Sequence, residues 1–313
     1  MPPTASIDAD APATPDAQRV RFGEREWAFP SADLAPLHAS DPSDTPEALR
    51  ARLAADGYLY LPGLIARDAV LSARAAILRY MDQHEGLEPG SRPLEGVMGA
   101  SGKSVPMTGT REITHHPDVL AVLESPRLFA MHAALQGEPV QSFDYKWLRA
   151  VGVEEFTGAH MDHVYMGRGS KRVLTTWVPL DDLPLERGVL AVCRGSHNLE
   201  SFARLRETYG RMDVDRDRAQ GWFTNDPGEI TEAFGGQWQT TAFGAGDVLI
   251  FGMHLMHAST TNTRDRWRLS CDVRFQPSAD ASDPRWVGER PIGHIDHGDT
   301  TIPMEEMRAA WGV

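Results

Sequence analysis

Cysteine is scarce in this sequence, and long apolar runs and an excess of basic residues are missing altogether. The 313 residues include only Cys193 and Cys271, both in apolar alternating stretches, so a disulfide framework is excluded and free thiols in a reducing cytoplasm are expected. No apolar run approaches the ~18–20 residues that a membrane-spanning helix requires. Lys and Arg number 31 against 44 Asp and Glu, a formal charge of −13, which disfavours nucleic acid or an anionic membrane as a partner.

The opening stretch, "MPPTASIDADAPATPDAQ", also lacks the basic and apolar regions of a signal peptide. Its Ala, Pro, Asp and Thr bias predicts a disordered tail over residues 1–20. We predict a single domain over residues 21–290, followed by a C-terminal extension over 291–313. His294 and His297 lie in that extension, and their spacing alone does not indicate a second metal site.

The periodicity of apolar residues changes along the chain. Helical spacing dominates from about 45 to 137, and short alternating segments bounded by Gly, Pro or Asp dominate from about 140 to 277. This order predicts a mainly β, α+β fold. N-terminal helices pack on an antiparallel barrel or double sheet of the jelly-roll type.

A long polar segment, residues 199–240, interrupts the strands. Loops of this length in a compact domain are typically functional or disordered, so we predict a lid that orders over the substrate. Its glycines offer hinge points, and Trp222 with Phe223 offers an apolar patch. The alternative is a fixed surface excursion.

The motif "AHMDH" (159–163) carries the first sign of chemistry. On a strand, His160 and Asp162 face the same side, while Met161 and His163 face the other. One imidazole and one carboxylate supply two thirds of the facial triad that binds non-haem Fe(II). A polar strand facing solvent gives the same pattern, and "GDVLIFGMHLMHASTTN" offers either His254 or His257 as the third ligand.

The segment "RWRLSCDVRF" (266–275) alternates strictly between polar and apolar residues. An edge strand with one solvent-facing side explains this pattern. An arginine just after a ligand histidine also suits bidentate pairing with the carboxylate of a cosubstrate.

Taken together, residues 50–277 resemble the phytanoyl-CoA dioxygenase family of Fe(II)- and 2-oxoglutarate-dependent oxygenases. The matching stretches are "DGYLYLPGLI", "LQGEPV", "AHMDH", "TTWVPLDDLPLERGVLAVCRGSHN", "GDVLIFGMHLMHASTTN" and "RWRLS". The resemblance implies a double-stranded β-helix fold, with Fe(II), 2-oxoglutarate and O2 as cofactor and cosubstrates.

Carried over residue by residue, the resemblance implies that His160, Asp162 and His257 are the metal ligands. It also implies that Arg268, eleven positions after His257, binds the far carboxylate of 2-oxoglutarate. The further cosubstrate-binding residues that we predict are Ser259, Trp177, Ser270 and Lys146.

Two other histidines near these motifs receive no ligand role. We expect His254 to pack or to face the substrate, and His163 to pack or to support the site indirectly. Halogenating relatives carry a small residue in place of the ligand carboxylate, so the presence of Asp162 favours hydroxylation or a related oxidation.

We therefore predict an oxygenase that acts on a small-molecule substrate and releases succinate and CO2. One alternative is a zinc or manganese hydrolase or isomerase with the same three ligands, which leaves Arg268 without a role. Another is a catalytically silent jelly-roll binding module. The sequence leaves the substrate and the oligomeric state open.

Overall fold

The computed structural model describes residues 17–313. The helices are α1 (Pro46–Asp56), α2 (Arg67–Gln83), α3 (Pro117–Leu123), α4 (Pro126–Gln136), α5 (His163–Met166), α6 (Ala203–Glu207), α7 (Val214–Asp217), α8 (Pro227–Phe234) and α9 (Met304–Trp311). The strands are β1 (Gln18–Phe22), β2 (Arg25–Phe29), β3 (Leu34–Pro36), β4 (Tyr58–Leu61), β5 (Thr108–Gly109), β6 (Val140–Ser142), β7 (Lys146–Val151), β8 (Leu174–Pro179), β9 (Leu190–Arg194), β10 (Gln237–Thr240), β11 (Val248–Gly252), β12 (His257–Ser259) and β13 (Arg268–Pro277).

The strands form two main sheets and an N-terminal hairpin. The larger sheet has seven strands in the order β4-β11-β8-β13-β7-β5, with β6 also paired to β13. The smaller sheet has four strands in the order β12-β9-β10-β3, and β1 pairs with β2. One apolar core draws residues from both main sheets, and a second lies between the larger sheet and helices α1 to α4.

Strand β13 divides the larger sheet into an apolar and a polar face. The residues that pack on the helices are Leu269, Cys271, Val273 and Phe275. The residues on the opposite face, toward the smaller sheet, are Arg268, Ser270, Asp272 and Arg274. The alternative of a solvent-facing edge strand is wrong, because β13 pairs with both β8 and β7 and is buried along its whole length.

Local signals set the limits of α1 and place the next strand. Thr45 accepts a hydrogen bond from Ala48 N–H as the N-cap, and Pro46 follows at the first helical position. Gly57 ends the helix with φ of 83°, a conformation that glycine adopts without strain. The chain then enters β4 directly and pairs with β11.

Regular structure in the N-terminal part begins before residue 21, the predicted start of the domain. Residues 1–16, most of the predicted tail, lie outside the described residues. Strand β1 starts at Gln18, because Val20 and Phe22 are buried and the Phe22 ring packs edge-on against Trp238 at 4.9 Å. Residues 18–20, which the sequence assigns to the tail, are therefore part of a strand.

The insertion is shorter and better packed than predicted. Its last residues, 237–240, form β10 in the smaller sheet, so the segment outside the sheets is 199–236. Within it, the buried aromatic and aliphatic side chains include Phe202, Leu205, Tyr209, Phe223 and Ile230. Of the predicted apolar patch, Phe223 is already 2% exposed and only Trp222, 42% exposed, remains at the surface.

The C-terminal extension lies against the rest of the domain. Ile302 pairs with Ala219 of the insertion, and Met304 in α9 is buried in the core shared by the two sheets. Cys193 and Cys271 are both buried and free. Within residues 17–313, no helix has the length and apolar character needed to cross a membrane.

A buried histidine joins α4 to the larger sheet. The His132 ring stacks on Phe275 with centroids 4.1 Å apart, and its Nε2 shares a hydrogen bond of 2.6 Å with the Thr176 hydroxyl. Burial lowers the pKa of His132 to about 3. The ring is therefore neutral in the fold, whereas it gains a proton in the unfolded chain below pH ~6.5.

This difference predicts a pH dependence of stability. The contribution of neutral His132 to the free energy of unfolding is complete above pH ~6.5. It is lost as the pH falls toward ~3, at about 1.4 kcal/mol per pH unit. His132→Gln should therefore show a shallower fall of the unfolding free energy between pH 6 and pH 4, measured by urea denaturation. The matched change at exposed His84, His84→Gln, should leave the slope unchanged, and equal slopes in all three proteins would contradict this account.

Candidate functional site

Two backbone hydrogen bonds bring distant histidines together. His160 N–H donates to His257 O, and His257 N–H donates to His160 O, each at 2.9 Å. His257 lies in β12, whereas His160 makes only an isolated bridge with it. The continuous strand expected over "AHMDH" is wrong, because Asp162 is the N-cap of the short helix α5. His160 and Asp162 converge through a turn and not through strand alternation.

His160, Asp162 and His257 form a buried group with the spacing of metal ligands. One ligand atom from each residue lies within 4.8 Å of the others. The Nε2 atoms of His160 and His257 are 3.9 and 3.8 Å from Asp162 Oδ1, which is too far for a hydrogen bond. Two imidazoles and one carboxylate are the ligand set of a non-haem Fe(II) facial triad.

Both imidazoles are held in the tautomer that a metal needs. His160 Nδ1 lies 2.8 Å from Gly158 O, and His257 Nδ1 lies 3.0 Å from Leu255 O. Because a carbonyl only accepts hydrogen bonds, each Nδ1 carries the proton and each Nε2 keeps a free lone pair. Burial, together with nearby His257, also lowers the pKa of His160 to about 3 and so favours the neutral, ligating form.

The two oxygens of Asp162 share Arg274 but differ in their other partners. Oδ1 faces both imidazoles and lies 3.3 Å from Arg274 Nη2, whereas Oδ2 accepts a hydrogen bond from the Thr175 hydroxyl and lies 3.2 Å from the same nitrogen. Burial alone would raise the pKa of this carboxyl, but the charge of Arg274, together with the hydrogen bond from Thr175, holds it well below its usual range. Asp162 is therefore ionised, with one oxygen fixed and the other directed at the histidines.

Arg268 is a buried guanidinium without a carboxylate partner within residues 17–313. It is 2% exposed, it donates to the Ser270 hydroxyl, and its Nε has no hydrogen-bond partner among the described residues. Burial, followed by repulsion from Arg149 and Arg187, lowers its pKa to about 10. An unpaired buried cation of this kind is costly, and a bound anion would relieve the cost.

Ser259 and Trp177 also lie in this interior. Ser259 follows His257 on the same face of β12, and its hydroxyl accepts a hydrogen bond from Thr157 N–H at 2.8 Å. Trp177 is 2% exposed, sits on β8 beside Asp272 of β13, and packs against Phe243. These positions are compatible with lining a cosubstrate cavity.

Lys146, by contrast, points away from the group of His160, Asp162 and His257, which we call the metal group. It lies on β7 with its amine 2.6 Å from Glu124 Oε1 and bonded to Phe143 O. The alternate residues of β7, Trp147 and Arg149, line the cavity beside the metal group instead. Glu124 already neutralises Lys146, so this structure gives it no free charge for a cosubstrate.

His254 and His163 stack on each other outside the metal group. Their ring centroids are 4.5 Å apart with an interplanar angle of 24°, and both line a separate cavity of about 710 Å³. Arg168 pairs there with Asp213, and Lys171 donates to Gly167 O. Across residues 17–313, the only cluster of His, Cys, Asp and Glu with metal-ligand spacing is His160, Asp162 and His257.

Three polar residues of the site were not predicted from the sequence. Thr175 and Arg274 bind Asp162, and Arg149 donates to Asp272 at 2.8 Å. Arg274 shares the polar face of β13 with Arg268, and Thr175 shares a face of β8 with Trp177. The strand alternation was the signal that could have found them.

A cavity of about 320 Å³ adjoins the metal group. Its lining includes His160, Asp162, Arg149 and Arg274. Its aromatic lining residues are Tyr145, Trp147, Tyr165 and Trp222. The size and mixed lining are typical of a site for a small organic molecule.

The family comparison covers most of the chain. Residues 53–270 match the model of the family described as phytanoyl-CoA dioxygenase. This span holds all three candidate ligands and Arg268. No curated protein matches the sequence.

Solved structures with a similar fold include two enzymes described as alpha ketoglutarate dependent and one protein with 2-oxoglutarate bound. The epimerase SnoN from nogalamycin biosynthesis, in complex with Fe3+, alpha ketoglutarate and nogalamycin RO, is 23% identical with a TM-score of 0.53, covering 82% of this chain and 97% of that one. The carbocyclase SnoK from the same biosynthesis is 16% identical with a TM-score of 0.53, covering 84% and 98%. EctD from S. alaskensis, with 2-oxoglutarate and 5-hydroxyectoine, is 18% identical with a TM-score of 0.55, covering 91% and 94%. At these identities the likeness shows the fold, and the predicted fold class is confirmed.

The metal group predicts the effect of removing each ligand. His160→Ala, Asp162→Ala and His257→Ala should each weaken Fe(II) or Mn(II) binding by more than about 100-fold, because loss of a mere ligand-supporting contact already costs about 10–100-fold. Isothermal titration calorimetry under anaerobic conditions measures this loss. Circular dichroism should show that the fold survives.

His254→Ala is the matched control, since it removes a half-buried imidazole of the same segment that lies outside the group. Its metal affinity should equal that of the unmodified protein. Loss of binding in His254→Ala, with binding retained in His257→Ala, would exchange the roles of the two histidines.

Proposed function

Because the chain belongs to the phytanoyl-CoA dioxygenase family, we propose that it is an Fe(II)- and 2-oxoglutarate-dependent oxygenase that oxidises a small molecule. Succinate and CO2 are the co-products. The observation that carries this proposal is the placement of two features in one interior: a buried His-Asp-His group and, on β13, a buried arginine that has no anionic partner in the described part of the chain.

The residues present fit an iron ion. His160 and His257 each offer the lone pair of Nε2, and Asp162 offers Oδ1, the carboxylate oxygen that faces both rings. The carbonyls of Gly158 and Leu255, and the Thr175 hydroxyl, fix their orientation before any metal arrives. Such outer contacts set ring orientation and ligand basicity.

The residues also fit 2-oxoglutarate, which carries two carboxylates. Arg268 offers its buried guanidinium to the carboxylate far from the metal, with Ser270 beside it. Ser259 and Trp177 would line the same part of the interior. Pairing with an anion would satisfy the free Nε of Arg268 and remove the repulsion from Arg149 and Arg187.

When bound, the iron with 2-oxoglutarate and O2 supplies an oxidant able to attack a substrate C–H bond. The protein contributes orientation and exclusion of water. His160 and His257 are almost fully buried, and the aromatic side chains of Tyr165 and Trp222 border the adjoining cavity. Asp162 stays ionised through its contacts with Arg274 and Thr175.

Hydroxylation is the oxidation that we propose first, since Asp162 occupies the position that halogenating relatives leave open. Epimerisation and ring closure use the same fold in SnoN and SnoK. A cytoplasmic location, consistent with two buried free thiols, also stays a prediction.

Turnover of 2-oxoglutarate separates this function from its alternatives. The enzyme should form succinate from 2-oxoglutarate when Fe(II) and O2 are present, measured by NMR. A zinc or manganese hydrolase would leave 2-oxoglutarate intact, and so would a silent binding module. Absence of both 2-oxoglutarate binding and succinate formation would reject the proposal.

Replacement of Arg268 should weaken 2-oxoglutarate binding selectively. Arg268→Leu removes a charge-assisted pair and leaves a carboxylate unmatched in a dry interior, a loss of roughly 2–5 kcal/mol or about 30- to several-thousand-fold in affinity. Calorimetric titration of the Mn(II)-loaded protein with 2-oxoglutarate measures it. Metal affinity should stay unchanged.

Arg266→Leu is the control for that experiment. Arg266 precedes Arg268 by two residues, but its side chain is 40% exposed and donates to Glu95 O. We expect its 2-oxoglutarate affinity to match the unmodified protein. An equal or larger loss in Arg266→Leu would move the carboxylate site to Arg266.

We further propose that closure of the insertion is confined to the part around Trp222. Trp222 is exposed and borders the metal cavity, whereas Phe223 N–H already donates to Ala159 O at 2.8 Å. In hydrogen exchange under anaerobic conditions, the peptide containing Trp222 should slow when Fe(II) and 2-oxoglutarate are added. The peptide containing Phe202 and Leu205 should be protected throughout.

Two other outcomes would change this view. Fast exchange across all of 199–236 without ligands would favour a lid that includes the whole segment. Unchanged exchange at Trp222 would leave the segment a fixed structural element.

A further inference from the structure

Two arginines that the proposed function does not use for 2-oxoglutarate face the cavity beside the metal group. Arg149 on β7 and Arg274 on β13 both line it. Arg149 Nε donates to Asp272 Oδ2 at 2.8 Å, and Arg274 Nη2 lies 3.2 Å from Asp162 Oδ2. Among the described residues that line this cavity, Asp162 is the one carboxylate.

Arg274 has more donors than acceptors around it. Its side chain is 2% exposed, and both its Nε and its Nη1 lack a hydrogen-bond partner among the described residues. Asp272 Oδ2 is 3.8 Å from Nη1, too far for a hydrogen bond. The guanidinium lies 4.1 Å above the Trp147 ring, which provides a cation–π contact but accepts no N–H in the guanidinium plane.

The charges of this interior do not balance. Its polar face carries three guanidinium groups, those of Arg149, Arg268 and Arg274, against two carboxylates, those of Asp162 and Asp272. Fe(II) and the 2-oxoglutarate dianion of the proposed function cancel each other. One positive charge therefore remains, and it favours binding of a monoanion. Arg268 and Arg274 are each 2% exposed, whereas the side chain of Arg149 is 37% exposed.

Aromatic rings form much of the rest of the cavity, together with Met166, Thr108, Thr157 and His294. Tyr145, Trp147, Tyr165 and Trp222 line it, and Trp147 packs against Tyr145 with ring centroids 4.7 Å apart. A volume of about 320 Å³ is at the lower end for small-molecule sites. Ring faces of this kind bind planar or aromatic groups.

We propose that the substrate is a small organic acid with a planar, aromatic or unsaturated body, whose carboxylate binds to Arg149 and Arg274. This inference rests on the proposed function, because it places the substrate beside the iron. A single carboxylate matches the one surplus positive charge, whereas a phosphate monoester brings about two negative charges at neutral pH. Arg149 and Arg274 then act as specificity-determining residues.

Binding of matched acid and amide pairs tests this inference without turnover. The Mn(II)- and 2-oxoglutarate-loaded protein is titrated calorimetrically without O2, using phenylacetate against phenylacetamide, cinnamate against cinnamamide, and indole-3-acetate against indole-3-acetamide. In at least one pair the acid should bind 10-fold more tightly or better. Phenyl phosphate should bind more weakly than the preferred acid.

Variants then locate the carboxylate. Arg149→Gln should remove most of the acid preference, and Arg149→Lys should restore part of it, since lysine keeps the charge but not the bidentate geometry. Arg264→Gln is the control, because Arg264 is exposed and pairs with Glu186 away from the cavity. Affinity for 2-oxoglutarate should be unchanged in Arg264→Gln and should change far less in the two Arg149 variants than in Arg268→Leu, and thermal unfolding should show that each variant is folded.

The outcomes separate this inference from the proposed function. If Mn(II) and 2-oxoglutarate bind but no acid binds better than its amide, the substrate class is wrong and the oxygenase proposal stands. The inference is equally wrong if Arg149→Gln keeps the acid preference, or if it weakens 2-oxoglutarate as much as Arg268→Leu does. If neither metal nor 2-oxoglutarate binds, the function itself is rejected.

Discussion

The reciprocal backbone hydrogen bonds between His160 and His257 are the interaction on which the rest of the site depends. They join the turn that carries Asp162 to strand β12 in the smaller sheet. Each imidazole is oriented by a hydrogen bond from its Nδ1 to the backbone carbonyl two residues earlier, so the same local contact occurs at both histidines. Side chains far apart in the chain thus meet with free Nε2 atoms already facing one carboxylate oxygen. Preorganisation of this kind spares a metal site the cost of ordering its ligands on binding.

Strand β13 contributes both to the stability of the fold and to the candidate site. Its apolar residues pack on the helices, and its polar residues place Arg268, Asp272 and Arg274 inside the protein. Each buried donor left unpaired costs roughly 1–3 kcal/mol. The nitrogens of Arg268 and Arg274 that have no hydrogen-bond partner among the described residues therefore carry this cost. The helix-side core, with Trp267, Leu269 and Phe275, offsets that cost.

The sequence was sufficient for the family, the mainly β fold and the order of its elements, because these follow from periodicity and from ordered motifs. The sequence was not sufficient to show which face of each strand points into the protein. Alternation along β13 separated two faces, yet only strand pairing on both sides shows that the polar face is interior. The same limit applies to Lys146, whose partner Glu124 comes from the helical region. "AHMDH" was assigned to a strand because side chains two residues apart can lie together in a strand or in a turn. The sequence does not distinguish these two conformations.

The unpaired guanidinium of Arg268 also bears on the lifetime of the protein in the cell. A ligand that binds only the folded state adds to its stability with the logarithm of its concentration, about 2.7 kcal/mol at 100 times its dissociation constant. If Arg268 binds 2-oxoglutarate, a fall in that metabolite exposes the interior charge again and raises the population of unfolded chains. Proteases act on that population. The abundance of the protein would then follow the supply of its own cosubstrate, without any dedicated regulatory domain.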